Sequence, residues 1–177
     1  MDEDVKAEIL DENAVSRAVT RISFEIIERN KGAEDLCLVG LLSRGAVLAK
    51  RIAEKISENE GREIPTGVLD ITPFRDDGRR GERGDGTKID FNITDKRVVL
   101  IDDVIFTGRT ARAAIDGLLA RGRPTVIQLA ALIDRGHREL PIRADYIGKN
   151  LPTSHSEKVR VMVRELDGCD KVVICGE

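Results

Sequence analysis

Two acidic side chains, Asp102 and Asp103, close the apolar run Val98–Ile101, and Thr107-Gly108-Arg109-Thr110 follows four residues after the second of them. The two halves of Val98–Thr110 (VVLIDDVIFTGRT) suit different parts of one ligand. Carboxylates repel phosphate but accept hydrogen bonds from the hydroxyls of a sugar diol. A glycine between threonines at the head of a helix lets the backbone approach an anion closely, with unpaired N–H groups and the helix dipole aimed at it. The bland reading of the same residues is a strand-to-helix turn with an Asp pair and a Thr cap. The ordered succession of buried strand, acids, anion nest and helix favours a ligand site.

Such a site must stand at the carboxyl end of a parallel strand, and the rest of the chain supplies the means. Val15, Ala18, Val19, Ile22 and Ile26 recur at helical spacing between Asp11, a ready N-cap, and Gly32. Leu36–Leu42 reads as a buried strand ending in the tight turn Ser43-Arg44-Gly45. Val47, Leu48, Ile52 and Ile56 mark a second helix closed by Gly61, and 67–71 reads as a strand. A strand at 98–101, a helix at 109–120 and a strand at 125–133 continue the alternation, which implies parallel pairing with right-handed crossovers. Between them, Pro73–Lys88 (PFRDDGRRGERGDGTK) has five Gly or Pro and almost nothing apolar, the composition of a mobile functional loop. After Asp134 come a polar hook and short apolar pieces at Tyr146-Ile147, Val159–Val163 and Val172–Ile174, read as a small antiparallel appendage over one end of the sheet. The expected fold is therefore α/β, one domain over 1–177, with a loop at 73–88 and a hood at about 134–163.

Composition sets outer limits. The chain has 177 residues, enough for one domain with a proper core, and 3% aromatics with no Trp, so that core must be aliphatic. No apolar run approaches the ~20 residues of a membrane span, and the acidic start MDEDVKAEIL lacks the order of a signal peptide. Cys37, Cys169 and Cys175 are odd in number without metal-ligand spacing, which reads as reduced thiols in a cytoplasmic protein with no membrane role. With a net charge of −3, binding of a polyanion would need a local basic face.

The strand, acid pair and Thr-Gly loop resemble the signature of type I phosphoribosyltransferases. That resemblance implies that Asp102, Asp103, Val104, Ile105, Phe106, Thr107, Gly108, Arg109 and Thr110 hold the ribose 5-phosphate of phosphoribosyl pyrophosphate. It implies that Ser43, Arg44 and Gly45 form the pyrophosphate loop, with a strained cis peptide at or near Ser43-Arg44, and that 73–88 is the lid. Arg75, Arg79, Arg80, Arg83 and Lys88 would face pyrophosphate on closure, Arg75 being the one singled out. Asp102, Asp103, Arg44 and Arg75 are then the catalytic set. Mg²⁺ is expected mainly on substrate oxygens, with Asp102 and Asp103 the nearest direct ligands.

The chain as a whole is similar to the pyrimidine-operon regulatory proteins that double as uracil phosphoribosyltransferases. The likeness runs through Ala18–Gly32 (AVTRISFEIIERNKG) and Leu69–Asp77 to Asp134–Ser154 (DRGHRELPIRADYIGKNLPTS). It implies the type I phosphoribosyltransferase fold, uracil and phosphoribosyl pyrophosphate as substrates, UMP and pyrophosphate as products, a homo-oligomer of dimer or higher order, and UMP-dependent binding of leader RNA. Arg135 and Val159 would form the base hood, Val159 through its backbone. Thr20, Arg21, Arg29, His137, Arg138, Arg143 and Lys149 are the RNA-facing candidates. Ser43 replaces a common Thr, Pro73-Phe74 replaces Leu-Tyr, and Phe24 stands where many relatives carry His. Two alternatives stay open: a UMP-sensing RNA regulator with vestigial catalysis, and a purine phosphoribosyltransferase.

Overall fold

The computed structural model describes residues 4–78 and 85–176. Strand β1 (Val5–Leu10) leads into helix α1 (Glu12–Asn30), then β2 (Leu36–Leu41), α2 (Arg44–Glu60) and β3 (Thr66–Leu69). After a short 3₁₀ turn at Thr72–Phe74 come β4 (Arg97–Ile105), α3 (Arg109–Leu119), β5 (Val126–Asp134), β6 (Tyr146–Asn150), β7 (Lys158–Met162), α4 (Arg164–Asp167) and β8 (Lys171–Cys175). Five strands pair in the order β3-β2-β4-β5-β6, every pair parallel, and three more form a separate antiparallel sheet, β1-β8-β7.

The parallel sheet is covered on both faces, which is why its strands read as unbroken apolar runs. Alternate side chains serve different layers. Leu36, Leu38, Val99, Ile101, Ala130 and Leu132 join the core beneath α1 and α2. Cys37, Val39, Leu41, Val98, Leu100 and Leu129 pack with Ala111, Ala114 and Leu118 of α3 on the other face. Helix α1 is capped as its sequence predicts, the Asp11 carboxylate accepting from the Ala14 N–H at 2.8 Å. Its buried stripe is Val15, Ala18, Val19, Ile22 and Ile26. At its far end Asn30 donates to Gln128 at 2.9 Å, and the Tyr146 hydroxyl donates to the same Gln128 oxygen at 2.8 Å, a buried polar link from α1 to β5 and β6.

Four expectations need correction. The 146–150 segment is not part of the antiparallel appendage: Ala130 pairs with Tyr146 and Ala131 with Ile147, so it extends the parallel sheet as its edge strand. The appendage draws its third strand instead from β1, a segment read only as an acidic start. The strand that leads to the acid pair does not end at Ile101 but runs through Asp102 and Asp103 to Ile105. The 73–88 loop has local structure at its foot. Thr72–Phe74 forms the 3₁₀ turn, Phe74 sits against α3 near Gly117, and Val68 bridges to Lys88 where the segment returns. Arg79, Arg80 and Arg83 lie outside the described residues.

Candidate functional site

Because β2, β3, β4 and β5 run parallel, their carboxyl ends reach one edge of the sheet, at Leu41, Leu69, Ile105 and Asp134. The chain leaves β2 to build β3 on one side, while β4 lies on the other, so the crevice opens where the strand order reverses. Gly40 is level with Ile101, yet β4 continues to Ile105. Asp102–Ile105 therefore project beyond β2, beside the start of α2. A Cβ on Gly45 would stand 2.4 Å from the Ile101 carbonyl oxygen and 3.3 Å from the Asp102 Cα. Only glycine lets the Ser43–Gly45 loop press this closely on the acid pair. A cis peptide joins Leu42 to Ser43, one bond before the Ser43-Arg44 position expected.

Asp102 and Asp103 are half-buried at the mouth of β4. The Asp102 carboxylate accepts the Asp103 N–H, and that of Asp103 accepts the Val104 N–H, both at 2.9 Å. Burial, together with the neighbouring Asp103 charge, pushes the Asp102 carboxyl well above the ordinary carboxylate range. Sugar hydroxyls or a cation brought to this pair would relieve that cost. Among the described residues no group of three or more His, Cys, Asp or Glu side chains is placed to hold a metal ion.

Beyond the acids the chain turns at Gly108, whose φ of 91° is unfavourable for a side chain, and this N-cap glycine offers α3 no side-chain cap, while the Thr107 hydroxyl accepts the Arg109 N–H at 3.3 Å. A helix start of this kind can present its remaining N–H groups to an anion. The hook behind this loop holds it in place: the Thr107 carbonyl accepts from the Glu139 and Leu140 N–H groups at 2.9 and 3.2 Å. Arg109 reaches away from the nest to Asp76 at 2.6 Å and Glu139 at 3.2 Å. A cavity of about 170 Å³ lies between lid foot and nest, lined by Ile71, Arg75, Asp76, Thr107, Arg109 and Thr110.

Two arginines of the crevice are paired within the chain. Arg44 forms a fork with Asp167 of α4 at 2.8 and 3.3 Å. Arg75 pairs with Asp77, two residues along its own loop. Both ends of the lid converge on Asp70, whose carboxylate accepts from the Thr72 N–H and hydroxyl at 3.0 and 2.6 Å and from the Gly86 N–H at 3.1 Å. Burial opposes ionisation there, but these donors hold the carboxyl below its ordinary value.

In the hood, Arg135 is 8% exposed and lies over the Phe106 ring, 3.9 Å from its centroid. It donates to the Thr153 hydroxyl and the Ser154 carbonyl at 3.2 and 3.1 Å. Phe106, His137 and His155 meet edge to face with centroids 4.8–5.8 Å apart. Val159 is half-buried on β7, the edge strand of the small sheet, where alternate residues turn their backbone groups away from β8. The aromatic trio was not foreseen. Its members are 18–49 residues apart, and lone histidines carry no sequence signal of mutual contact.

The seven RNA-facing candidates fall into two places. Arg21 and Arg29 bind the β6 side, Arg21 at the Ile147 and Gly148 carbonyls and Arg29 at Asp145, 2.9 Å away. Thr20 shares their helix, while Lys149 and Arg143 are exposed on and just before β6. His137 and Arg138 instead turn inward at the crevice. His137 contacts the Thr153 carbonyl at 2.7 Å, and Arg138 is enclosed by the hook.

Residues 6–163 match the family model described as phosphoribosyl transferase domain. The chain is 59% identical over 172 residues to the bifunctional protein PyrR of Acetivibrio thermocellus, covering 96% of this chain and 94% of that one. It is 57% identical over 169 residues to a pyrimidine operon regulatory protein of Lactococcus lactis subsp. cremoris, with 96% of each covered. Among solved structures, a hypoxanthine phosphoribosyltransferase of Trypanosoma cruzi superposes with a TM-score of 0.76 at 16% identity, covering 99% and 96% of the two chains. One from Staphylococcus aureus gives 0.73 at 19% identity, with 97% and 92% covered. At such identities these structures share the fold alone.

Proposed function

The chain belongs to the phosphoribosyltransferase family and, within it, to the bifunctional PyrR proteins, and from that membership we propose that it converts uracil and phosphoribosyl pyrophosphate to UMP and pyrophosphate and regulates pyrimidine operons by UMP-dependent binding of leader RNA. The observation that carries the catalytic reading is the placement, along one stretch of β4 and its loop, of an acid pair followed by a glycine-capped helix start. Asp102 and Asp103 would accept the ribose hydroxyls, and the Thr107–Thr110 nest would take the 5′-phosphate. The anomeric carbon then faces the Ser43–Gly45 loop on one side and the hood on the other.

The C1–O bond to pyrophosphate breaks, its electron pair leaving with pyrophosphate, as the uracil N1 bonds to C1 and gives up its proton to solvent, through a sugar with oxocarbenium character. Such chemistry needs reactants aligned and the departing charge neutralised, more than it needs a nucleophile from the protein. Arg44 and Arg75 are the side chains available for that charge, once they exchange Asp167 and Asp77 for pyrophosphate. Mg²⁺ would supply further neutralisation on substrate oxygens, with Asp102 and Asp103 as its nearest protein carboxylates. Arg135 and the Val159 backbone are assigned to the base. The reading places the protein in the cytoplasm as a homo-oligomer, an assembly that sedimentation velocity measures. Among the described residues no helix is long and apolar enough to cross a membrane.

The test is direct: purified protein, Mg²⁺ and phosphoribosyl pyrophosphate are supplied with uracil, cytosine or hypoxanthine, and nucleotide and pyrophosphate are measured. Uracil should be preferred over cytosine by ~10⁴-fold, the scale set when a buried hydrogen-bonding group loses its partner. Comparable use of cytosine or hypoxanthine would refute the base assignment. For the regulatory half, leader-RNA affinity measured against salt should rise when UMP is added.

A further inference from the structure

We propose that Arg138 is a positioning residue for the donor phosphate: it fastens the 5′-phosphate loop to the hook, so that the nest keeps its shape. The inference rests on the phosphoribosyltransferase reading above. Three acceptors from separate segments converge on this one guanidinium. Its Nη1 donates to the Phe106 carbonyl at 2.7 Å, its Nε to the Ile142 carbonyl at 2.7 Å, and its Nη2 to the Asp134 carboxylate at 2.6 Å. Phe106 lies two residues before Gly108, Ile142 is in the hook, and Asp134 ends β5.

The arrangement has the marks of an internal anchor. The side chains of Arg138 and Asp134 are only 20% and 14% exposed. The second Asp134 oxygen accepts the Gly136 N–H at 2.9 Å, and its backbone carbonyl accepts the Leu151 N–H at 2.8 Å, so the charge that balances Arg138 is itself fixed. The planar fork of arginine serves acceptors in three directions, which an ammonium group on one stem does not. The rest of the loop is joined to the same hook: the Thr107 carbonyl takes the Glu139 and Leu140 N–H groups, and Gly108 faces the Leu140 and Ile142 side chains. Phosphate loop and hook therefore form one unit, with Arg138 holding the end nearest β4. A backbone nest binds an anion only while its N–H groups converge, so a loosened Phe106 carbonyl is felt at the phosphate.

UMP and uridine differ only by the phosphate this loop would hold, which makes them the discriminating pair. Wild type, Arg138→Gln and Arg138→Lys are compared by calorimetric titration with each ligand, alongside thermal melting and steady-state kinetics. In both variants UMP should weaken by about tenfold while uridine stays within about twofold, and the KM for phosphoribosyl pyrophosphate should rise in step with the KM for uracil unchanged. Arg138→Lys keeps the charge without the fork, so it serves as the folded comparison if the Gln variant does not fold. Equal loss for UMP and uridine would reduce Arg138 to general structure, and no loss of either would return it to the RNA surface. A wild-type protein that binds no UMP would overturn the functional reading itself, and the anchor with it.

Discussion

In the half of the crevice proposed to take the sugar phosphate, the groups are set by the backbone: an acid pair on β4, a left-handed turn at Gly108 and the glycine-capped start of α3. In the half proposed to take pyrophosphate they are arginine side chains already paired within the chain, Arg44 with Asp167 and Arg75 with Asp77. The first half has its shape before substrate arrives and orders little on binding. The second must exchange partners. Exposed ion pairs such as Arg75–Asp77 are worth little, so this exchange is easily driven by a pyrophosphate of several charges. Under the proposed function the contrast divides recognition from departure: the half assigned to the product is built from backbone, and the half assigned to the leaving group from replaceable side-chain contacts.

The comparison breaks most sharply if the rigid half is altered without consequence. Replacing Asp102 and Asp103 together by Asn removes two charged acceptors worth ~1.5–3 kcal/mol each, so transfer should fall by ~10²-fold or more, measured as pyrophosphate release. The melting temperature should not fall with it. Asp102 has a carboxyl whose folded pKa is raised, so its contribution to stability is full below the ordinary carboxylate range and is lost as pH rises through the folded value. The Asp102→Asn protein without ligand should accordingly gain in melting temperature over wild type as pH goes from about 4 to about 8, a range spanning the ordinary carboxylate value. A gap that narrows over this range would contradict the burial argument.

A smaller effect is expected at the turn. Gly108→Ala forces a side chain into a φ of 91°, a strain of ~1–3 kcal/mol. It should lower the melting temperature and raise the KM for phosphoribosyl pyrophosphate, leaving that for uracil near wild type. The smallest effects belong to the replaceable half. Asp167→Asn should change turnover by less than about threefold and should lower the inhibition constant of pyrophosphate, because Arg44 is then released. Arg44→Gln should lose about tenfold in kcat/KM, the value of one charged contact. Should Asp167→Asn cripple turnover as severely as the paired aspartate change, the Arg44–Asp167 pair is part of the rigid half and the division fails.

The elements around the candidate site are legible where chemistry and periodicity coincide in a short window. Val98–Thr110 declares a buried strand, an acid pair and a glycine turn into a helix within thirteen residues, although the strand runs through the acids to Ile105 rather than stopping at Ile101. What stayed hidden is what depends on pairing across the chain. The partner of Arg44 lies 123 residues away, and the Phe106 carbonyl that Arg138 holds lies 32 residues away, so neither contact could be read from spacing. The resemblance puts Arg138 among the RNA-facing residues, and spacing alone gives no sign that the hook folds over its guanidinium. Strand β6 was assigned to the wrong sheet because Tyr146-Ile147 is too short to show a period. For β1 the signal was present, since Val5-Lys6-Ala7-Glu8-Ile9 alternates at period two, but its acidic neighbours masked it.

The small sheet has a consequence for the order in which the molecule assembles. Its middle strand, β8 (171–175), lies between β7 (158–162) and β1 (5–10), so its pairing with β1 joins residues more than 160 apart. The parallel sheet, in contrast, is complete by Asn150. Closing the longest loop in the chain carries the largest entropic cost and, in a topology of this kind, belongs late on the folding path. The nest and acid pair can therefore form on a sheet that is already paired, while the strand bearing Val159 waits for β8. On the proposed assignments, a folding chain would acquire its grip on phosphate before its choice of base, and specificity would be the last property of the site to appear.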